Sequence, residues 1–300
     1  MLTKIAVLYG GWSEYEASIK SKNHIISLIN KYKHDNTLFS NNIDILELNP
    51  ADGLTSLRSK LLEYQPELVV NLVHGYWGED GYAQLFLDEL KFPYTGPKHH
   101  DAFLSINKHV MKEICHEIGV PVMKGGAVEL NTYLQQADHY PHIVKSIYGG
   151  SSHGIEVIHT EQEKLNYKNN STFLYEHFNK GVEVTHAVKN GKYIGGLIIK
   201  HPGEIYDTNS KKTGQGVEFL HLDTFPNQNL IEKSKKYAID LYNKINGRGV
   251  ARLDFTVSDE CYFMDYNAIP GTVLLPVIMK MRGYTELDFL KLLLTDATFS

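Results

Sequence analysis

The alternation of short apolar segments with amphipathic ones over the first hundred residues constrains the fold of this chain more than any other feature. Residues 5–9 form the first apolar segment, and residues 68–73 (LVVNLV) are almost entirely apolar. A strand without a polar face has to be covered on both sides, as the strands of parallel sheets are. The alternation therefore predicts an α/β domain in which helices join parallel strands by right-handed crossovers.

Two pairs of polar residues have the spacing of a helix N-terminal capping box. Ser13 is followed three residues later by Glu16, which predicts a helix that begins at Ser13. Thr285 is followed in the same way by Asp288, which predicts a helix over residues 285–294.

The middle of the chain changes from helical to strand-like patterns. Residues 107–118 are predicted to form a helix, and residues 121–123 a short strand. Asn190-Gly191 between two apolar runs is a strong hairpin signal. Residues 201–216 are polar and lack periodicity, which indicates a long surface loop. The packing face expected for the first of these helices consists of Val110, Ile114 and Ile118.

Composition excludes several classes of protein. The chain has 300 residues, of which 42% are hydrophobic, and a net charge of -5, so it can build a sizeable core but offers no basic face for nucleic acid. No apolar run approaches the ~18–20 residues of a membrane-spanning helix. Cys115 and Cys261 form no metal or redox motif, and we interpret them as reduced thiols of a cytoplasmic protein.

Two glycine-containing segments could receive an anionic ligand. Gly10-Gly11 follows the first strand and precedes a helix, where backbone N–H groups can face a polar ligand. Lys145 ends an apolar strand and is followed closely by Gly149-Gly150-Ser151. A lysine beside a flexible loop of N–H and hydroxyl groups suits phosphate. Taken alone, each signal also fits an ordinary tight turn or a solvated lysine.

The most specific signal lies near the end of the chain. Arg252 and Asp254 are two residues apart on one predicted strand, as Asp265 and Asn267 are on the next, so each pair points to one face of a sheet. Carboxylate and amide oxygens suit Mg²⁺, and a guanidinium suits phosphate charge. The alternative is a sheet face with structural salt bridges. Gly271 follows in a tight turn whose N–H could face an oxyanion.

Taken together, a glycine loop, a lysine, a magnesium site and an arginine describe phosphoryl transfer from a nucleotide. The motifs that carry this chemistry occur in a recognisable order: KIAVLYGG with SEYEAS, NLVHGYWGEDGYAQ, PYTG, IVK with GGSSHGI, and the strand pair RLD and DYN. In this order, over about 270 residues, the chain resembles the D-alanine–D-alanine ligases of the ATP-grasp superfamily.

The resemblance implies a fold of three α/β domains, with ATP between the second and third. The expected domains are residues 1–96 (N-terminal substrate domain), 97–178 (central ATP-grasp subdomain) and 179–300 (C-terminal subdomain with the metal and catalytic residues). It also implies two amino-acid substrates, ATP with Mg²⁺ (or Mn²⁺) as cofactors, and a homodimer.

The resemblance further assigns roles to the residues that match the motifs. The catalytic set is Glu14, Ser151, Lys212, Arg252 and Gly271, with Glu14, His74 and Gly271 at the substrates. The ATP contacts are Lys108, Lys145, Ser151, Glu176, Glu183 and Lys211, and the metal ligands are Asp254, Asp265 and Asn267.

Three departures from the family pattern bear on the substrates. Asp265 stands where a glutamate is usual, and Lys212 where a tyrosine is usual. Residues 272–276 are about three residues shorter than the family segment and lack its serine for the acceptor's carboxylate.

The expected activity is an ATP-dependent carboxylate–amine ligase, with D-Ala–D-Ala formation for peptidoglycan as the main hypothesis. A related ligase with another acceptor, for a natural product or modified peptide, is the alternative that the shortened segment motivates. A nucleotide-binding protein without catalysis is a further possibility. A Rossmann-type oxidoreductase is disfavoured because the GxGxxG fingerprint is absent.

Overall fold

A computed structural model describes residues 1–149, 154–169, 171–206 and 213–295 of the chain. The first part is the predicted α/β domain with a parallel sheet of order β2-β1-β3. Its strands are β1 (Leu2–Leu8), β2 (Phe39–Leu48) and β3 (Leu68–Asn71), and its helices are α1 (Tyr15–Tyr32), α2 (Leu54–Tyr64) and α3 (Tyr82–Glu89). A short 3-10 helix (Pro50–Asp52) precedes α2.

The parallel sheet is covered on both faces, as the apolar sequence of its strands requires. Ile5 and Val7 of β1 belong to a core cluster with Ile25 of α1. Ala6 and Leu8, which alternate with them, belong to a second cluster that includes residues of α2 and α3. Alternation along one strand therefore supplies both layers of the core.

The predicted start of the first helix is wrong. The helix begins at Tyr15, and its N-cap, Glu14, has left-handed backbone angles (φ 42°, ψ 32°) and makes no side-chain cap hydrogen bond. The Ser13 hydroxyl oxygen instead accepts a hydrogen bond from the backbone N–H of Tyr76, at 2.8 Å. The residue that looks like a cap is thus used to join two loops at the carboxyl edge of the sheet.

The central part of the chain is built on an antiparallel sheet of order β4-β7-β5-β6. Its elements are α4 (His99–Ile106), α5 (Lys108–Glu117), β4 (Gly125–Val128), α6 (Leu130–Gln136), β5 (His142–Ser146), β6 (Glu156–Ile158), α7 (Glu161–Asn166) and β7 (Phe173–His177). The strand expected at residues 121–123 is only an isolated bridge between Val122 and Phe263.

The buried face of α5 also differs from the prediction. The buried residues are Met111, Lys112 and Cys115, whereas Ile114 and Ile118 are partly buried at the edge of the core. The apolar pattern predicts the wrong face because α5 buries Lys112, and such a pattern counts a lysine as exposed.

The last part of the chain contains a five-stranded antiparallel sheet of order β10-β9-β8-β11-β12. Its elements are β8 (Val182–Lys189), β9 (Lys192–Lys200), β10 (Glu218–Leu220), a 3-10 helix (Leu222–Thr224), α8 (Gln228–Lys244), β11 (Val250–Val257), β12 (Cys261–Asn267), α9 (Leu274–Met281) and α10 (Glu286–Leu294). The hairpin at Asn190-Gly191 is confirmed, since both residues have positive φ, as a type I′ turn requires.

The three sheets fall one each within the residue ranges expected for the three domains, whose bounds themselves stay a prediction. Helix α10 packs with helix α1, because Phe289 and Leu290 of α10 share a core cluster with Ile25 and Ile29 of α1. At another junction, a Cβ on Gly249 would lie 2.8 Å from the Cα of Gly96, so the two backbones are in close contact. None of the described helices has the length and hydropathy to span a bilayer.

The capping box at α10 is confirmed, and it begins the helix that packs with α1. We expect Thr285→Ala to lower the free energy of unfolding by about 1 kcal/mol, since the N-terminal N–H groups lose their partner. Urea denaturation measures the loss. Thr55→Ala, in the first turn of α2 where the cap glycine has no side chain, is the matched control. Equal effects of the two substitutions would contradict the assignment.

Candidate active site

The pairing of β11 with β12 brings four polar side chains to one place. Arg252 lies opposite Asn267, and Asp254 lies opposite Asp265. The Arg252 guanidinium donates from Nε and Nη2 to the two carboxylate oxygens of Asp254, both at 2.9 Å. Asn267 Nδ2 donates to Asp254 Oδ2 at 3.0 Å. The strand register alone therefore assembles a guanidinium, two carboxylates and an amide.

Arg252 is held as a cation in this environment. Burial opposes its charge, but the carboxylates of Asp254 and Asp265 outweigh that effect and raise the pKa of Arg252 above its ordinary value. Thr185 on the neighbouring strand β8 donates its hydroxyl to Asp254 Oδ1 at 2.5 Å. Asp254 is thus oriented from both flanking strands and from its own strand.

Lys108 connects this face to the central part of the chain. It is the first residue of α5, whose N-cap, Asn107, accepts from the backbone N–H of Val110 at 3.1 Å. Lys108 Nζ lies 3.4 Å from Asp265 Oδ1 and also donates to the carbonyl of Gly149. The same ammonium group therefore reaches the proposed metal face and the start of the glycine loop.

A second group of charges lies inside the central sheet. Lys145 on β5 is 2.6 Å from Glu176 Oε2, and Glu176 lies on the adjacent strand β7. Lys112 of α5 is 2.8 Å from Glu176 Oε1. Burial by itself would raise the pKa of Glu176, but the two ammonium groups lower it below the ordinary value of a glutamate. This carboxylate is therefore ionised.

The N-terminal part of the chain contributes a buried histidine. His74 Nε2 is 3.0 Å from the Ser21 hydroxyl, and its Nδ1 is 3.3 Å from Glu79 Oε1. Burial disfavours the charged imidazole, but the Glu79 and Glu14 carboxylates raise the pKa of His74 above its ordinary value, against the opposing charge of Arg252. His74 is therefore within electrostatic reach of both Glu14 and Arg252.

The Glu14 side chain lies against the loop that follows His74. A Cβ on Gly75 would lie 2.4 Å from Ser13 Oγ and 3.2 Å from Glu14 Oε1, so only glycine leaves room there. Glu79, which accepts from the Gly75 N–H at 2.9 Å, also lines a narrow cleft with Lys108, Asp265 and Asn267. Side chains from all three predicted domains meet at this cleft.

Two further predicted residues lie in the described part of the chain. Glu183 on β8 accepts from the backbone N–H of Tyr206 at 3.3 Å and pairs with His201 at 3.3 Å. Around Gly271 there is open space where a side chain would stand, so its backbone can be approached. The predicted residues Ser151, Lys211 and Lys212 lie outside the described residues.

Sequence reasoning missed three residues of this site. Lys112 lies one helical turn after Lys108, Glu79 lies in the GED segment after His74, and Thr185 faces Asp254 from β8. The spacing of Lys112 from Lys108 was a usable signal, since residues four apart share one face of a helix.

The donors Asp254, Asp265 and Asn267 fit a magnesium ion. No cluster of three His, Cys, Asp or Glu side chains suited to a metal occurs among the residues that the structure describes. This set instead has two carboxylates and one amide, grouped by strand register. Mg²⁺ binds well to such a sparse set, because it completes its octahedral shell with phosphate and water oxygens.

The fold is the ATP-grasp fold of the D-alanine–D-alanine ligases. Two solved structures share the fold over nearly the whole chain. One is the D-alanine–D-alanine ligase of Bacillus anthracis in complex with ATP (TM-score 0.79, 23% identity, covering 97% of this chain and 96% of that one). The other is the D-alanyl-alanine synthetase A of Vibrio cholerae (TM-score 0.78, 20% identity, covering 97% and 96%).

Sequence comparisons then give the family. The protein-family model of the D-Ala–D-Ala ligase C-terminus matches residues 104–295 of this chain. The D-alanine–D-alanine ligase of Aquifex aeolicus is 27% identical and covers 97% of this chain and 98% of its own. That of Syntrophotalea carbinolica is 29% identical and covers 98% and 96%. The chain belongs to the D-alanine–D-alanine ligase family.

The contact between His74 and Glu79 gives a testable titration. We expect Glu79→Gln to lower the pKa of His74, because the neighbouring negative charge is removed while the burial remains. NMR titration of the imidazole carbon-bound protons measures the shift. Glu63→Gln, an exposed position on α2, is the control and should leave that pKa unchanged. An unchanged or raised pKa in Glu79→Gln would contradict the geometry.

Proposed function

We propose that this chain joins two molecules of D-alanine in an ATP- and Mg²⁺-dependent reaction that passes through an acyl phosphate. The observation that carries the proposal is the meeting of Arg252 and the Asp254–Asp265–Asn267 face with Lys108 and with the Glu14–His74 pocket. A pocket for an amino acid thereby faces a site for a nucleotide's phosphates. The relatives that carry the name D-alanine–D-alanine ligase match the chain over nearly its full length.

In the first step, the carboxylate of one D-alanine attacks the γ-phosphorus of ATP, forming a carboxyl oxygen–phosphorus bond and releasing ADP. Lys108 and Lys145, with Lys211, neutralise the phosphate oxygens. The segments Leu174-Tyr-Glu176 and Gly181-Val-Glu183 contact the adenine and the ribose. Asp254, Asp265 and Asn267 would hold a magnesium ion, which would further neutralise the triphosphate.

The N-terminal domain orients the first D-alanine. The Glu14 carboxylate accepts hydrogen bonds from the substrate's ammonium group, and His74 lies beside it, fixed by Ser21 and Glu79. Glu14 has left-handed backbone angles, and its carboxylate lies beside Gly75, the residue that follows His74. Holding the substrate in this way supplies the positioning that a reaction between two bound molecules needs.

In the second step, the free amine of the second D-alanine attacks the acyl carbon. The tetrahedral intermediate carries an oxyanion, which Arg252 and the N–H of Gly271 stabilise. Collapse breaks the bond from carbon to the phosphate oxygen, the amine gives up one proton to the departing phosphate, and the products are the dipeptide and inorganic phosphate. The resemblance to the family also assigns Ser151 and Lys212 to the catalytic set, and Lys212 would pair with Glu14 or with an anionic group of a substrate.

We further propose that the dipeptide serves peptidoglycan synthesis, and that the enzyme works in the cytoplasm as a homodimer. The cytoplasmic setting agrees with ATP as substrate and with two buried cysteines that are free thiols. Sedimentation equilibrium of the purified chain tests the dimer.

A panel assay tests the activity. ADP release is measured with Mg-ATP and amino acids, alone and in pairs, and the products are identified by mass spectrometry. ADP release with D-alanine alone and a D-Ala–D-Ala mass are expected. A new amide that forms only when D-alanine is paired with a different amine would contradict the proposal, and would show that the shortened segment 272–276 selects another acceptor.

The role of Arg252 gives the first kinetic prediction. We expect Arg252→Ala to lower kcat by at least ~100-fold, since both the phosphate and the oxyanion lose a positive charge. Arg58→Ala, an exposed position on α2, should leave kcat unchanged. Steady-state ADP release measures both. A normal rate in Arg252→Ala would remove this residue from the mechanism.

The metal site gives the second kinetic prediction. Removal of divalent cations with EDTA should abolish ADP release, and Mg²⁺ or Mn²⁺ should restore it. We expect Asp265→Asn to raise the Mg²⁺ concentration needed for half-maximal rate by at least ~10-fold, because one of two carboxylate ligands is lost. A metal titration of the rate measures this. An unchanged Mg²⁺ requirement would contradict the assignment of Asp265 as a ligand.

A further inference from the structure

Two lysines bind one buried carboxylate in the central part of the chain. Lys112 Nζ is 2.8 Å from Glu176 Oε1, and Lys145 Nζ is 2.6 Å from Glu176 Oε2. The side chains of Lys112 and Glu176 are only 5% and 9% exposed. One carboxylate needs only one counter-ion. The two lysines and the glutamate therefore carry a net charge of +1.

The two lysines are anchored differently. Lys112 Nζ also donates to the carbonyl of Met123 at 2.8 Å, so it is tied to the backbone as well as to Glu176. Lys145 is the next-to-last residue of β5, and the carbonyl of Gly149, four residues further on, accepts from Lys108. Of the two, Lys145 is therefore the one placed to move toward a phosphate that Lys108 also contacts.

A nucleotide phosphate would compete with Glu176 for the ammonium group of Lys145. As Lys145 turns toward phosphate, its charge is drawn away from Glu176. A buried carboxylate that loses its only partner is strongly disfavoured. With Lys112 in place, Glu176 keeps one counter-ion after Lys145 has turned away. The remaining Lys112–Glu176 pair is electrically neutral.

We propose that Lys112 is a positioning residue that acts as the permanent counter-ion of Glu176 and thereby releases Lys145 for the phosphates of ATP. Lys112 does not touch the nucleotide in this arrangement. The proposal rests on the proposed function only in that the ligand at Lys145 is a nucleotide phosphate.

Binding of Mg-ATP without amino acid, measured by calorimetry, tests the proposal. Lys112→Met should raise the Kd for Mg-ATP by at least ~10-fold, because Lys145 then stays on Glu176. The Kd for adenosine should change by less than about 3-fold, since a ligand without phosphate does not draw Lys145 away. Equal weakening of both ligands would indicate general damage to the pocket and overturn the proposal, as would an unchanged Kd for Mg-ATP.

A matched control lies in the same part of the chain. Lys164 is also buried and also bonds a carbonyl, that of Ala137 at 2.9 Å, and a carboxylate, that of Glu161 at 2.9 Å. It has no contact with Glu176. Lys164→Met should therefore leave both Kd values unchanged, and the same rise in the Kd for Mg-ATP as in Lys112→Met would overturn the proposal.

Removing the carboxylate should remove the need for Lys112. In a Glu176→Gln background, Lys112→Met should add less than about 2-fold to the Kd for Mg-ATP, because no buried charge is left unpaired. A merely structural role of Lys112 would give additive losses instead. Lys112→Arg, which keeps the charge, should bind Mg-ATP nearly as the wild type does.

A replacement variant and the behaviour of the wild-type protein separate this proposal from unfolding and from the proposed function. If circular dichroism shows that Lys112→Met is unfolded, Lys112→Gln replaces it, since glutamine keeps a donor for the Met123 carbonyl without the charge. A wild-type protein that binds Mg-ATP but makes no dipeptide would contradict the proposed function and leave the test of Lys112 intact. A wild-type protein that does not bind Mg-ATP would overturn both.

Discussion

The antiparallel pairing of β11 with β12 is the interaction on which the active site depends. Its register sets Arg252 against Asn267 and Asp254 against Asp265, and a one-residue slip would turn either pair to the other face of the sheet. The other face of these strands carries Leu253, Phe255 and Phe263 into a core cluster, so the register is fixed by apolar burial. The chemistry of the site thus rests on the packing beneath it.

The charges of the site are satisfied by one another in the structure. Asp254 pairs with Arg252, Asp265 with Lys108, and Glu176 with two lysines. Such pairs keep ionised groups in a partly buried cleft without the large penalty of an isolated charge. Binding of a nucleotide and its metal would then be an exchange of partners, in which anions of the protein pass to the metal and cations pass to the phosphates.

The sequence predicts those parts of the structure whose signals are local. The parallel sheet follows from apolar strands, the hairpin from Asn190-Gly191, and the start of α10 from Thr285 and Asp288. The grouping of polar residues on β11 and β12 follows from their spacing of two along neighbouring strands.

The features that escape prediction depend on contacts distant in the sequence. The start of α1 is displaced because the hydroxyl of Ser13 bonds to Tyr76, 63 residues away. Lys112 is buried because its partner, Glu176, lies 64 residues further along the chain. No local pattern identifies the distant partner of either residue. The spacing of Lys112 from Lys108 indicates only that the two share a face of the helix, and without Glu176 a lysine on α5 would be expected to face solvent.

The central claim, that the carboxylate of one amino acid is phosphorylated before the amide bond forms, has a direct isotopic test. D-Alanine labelled with ¹⁸O in its carboxylate is incubated with Mg-ATP and the protein, and the released nucleotide and phosphate are analysed by mass spectrometry. An acyl phosphate places one ¹⁸O atom in the inorganic phosphate. Unlabelled phosphate, or ¹⁸O in AMP, would contradict the account.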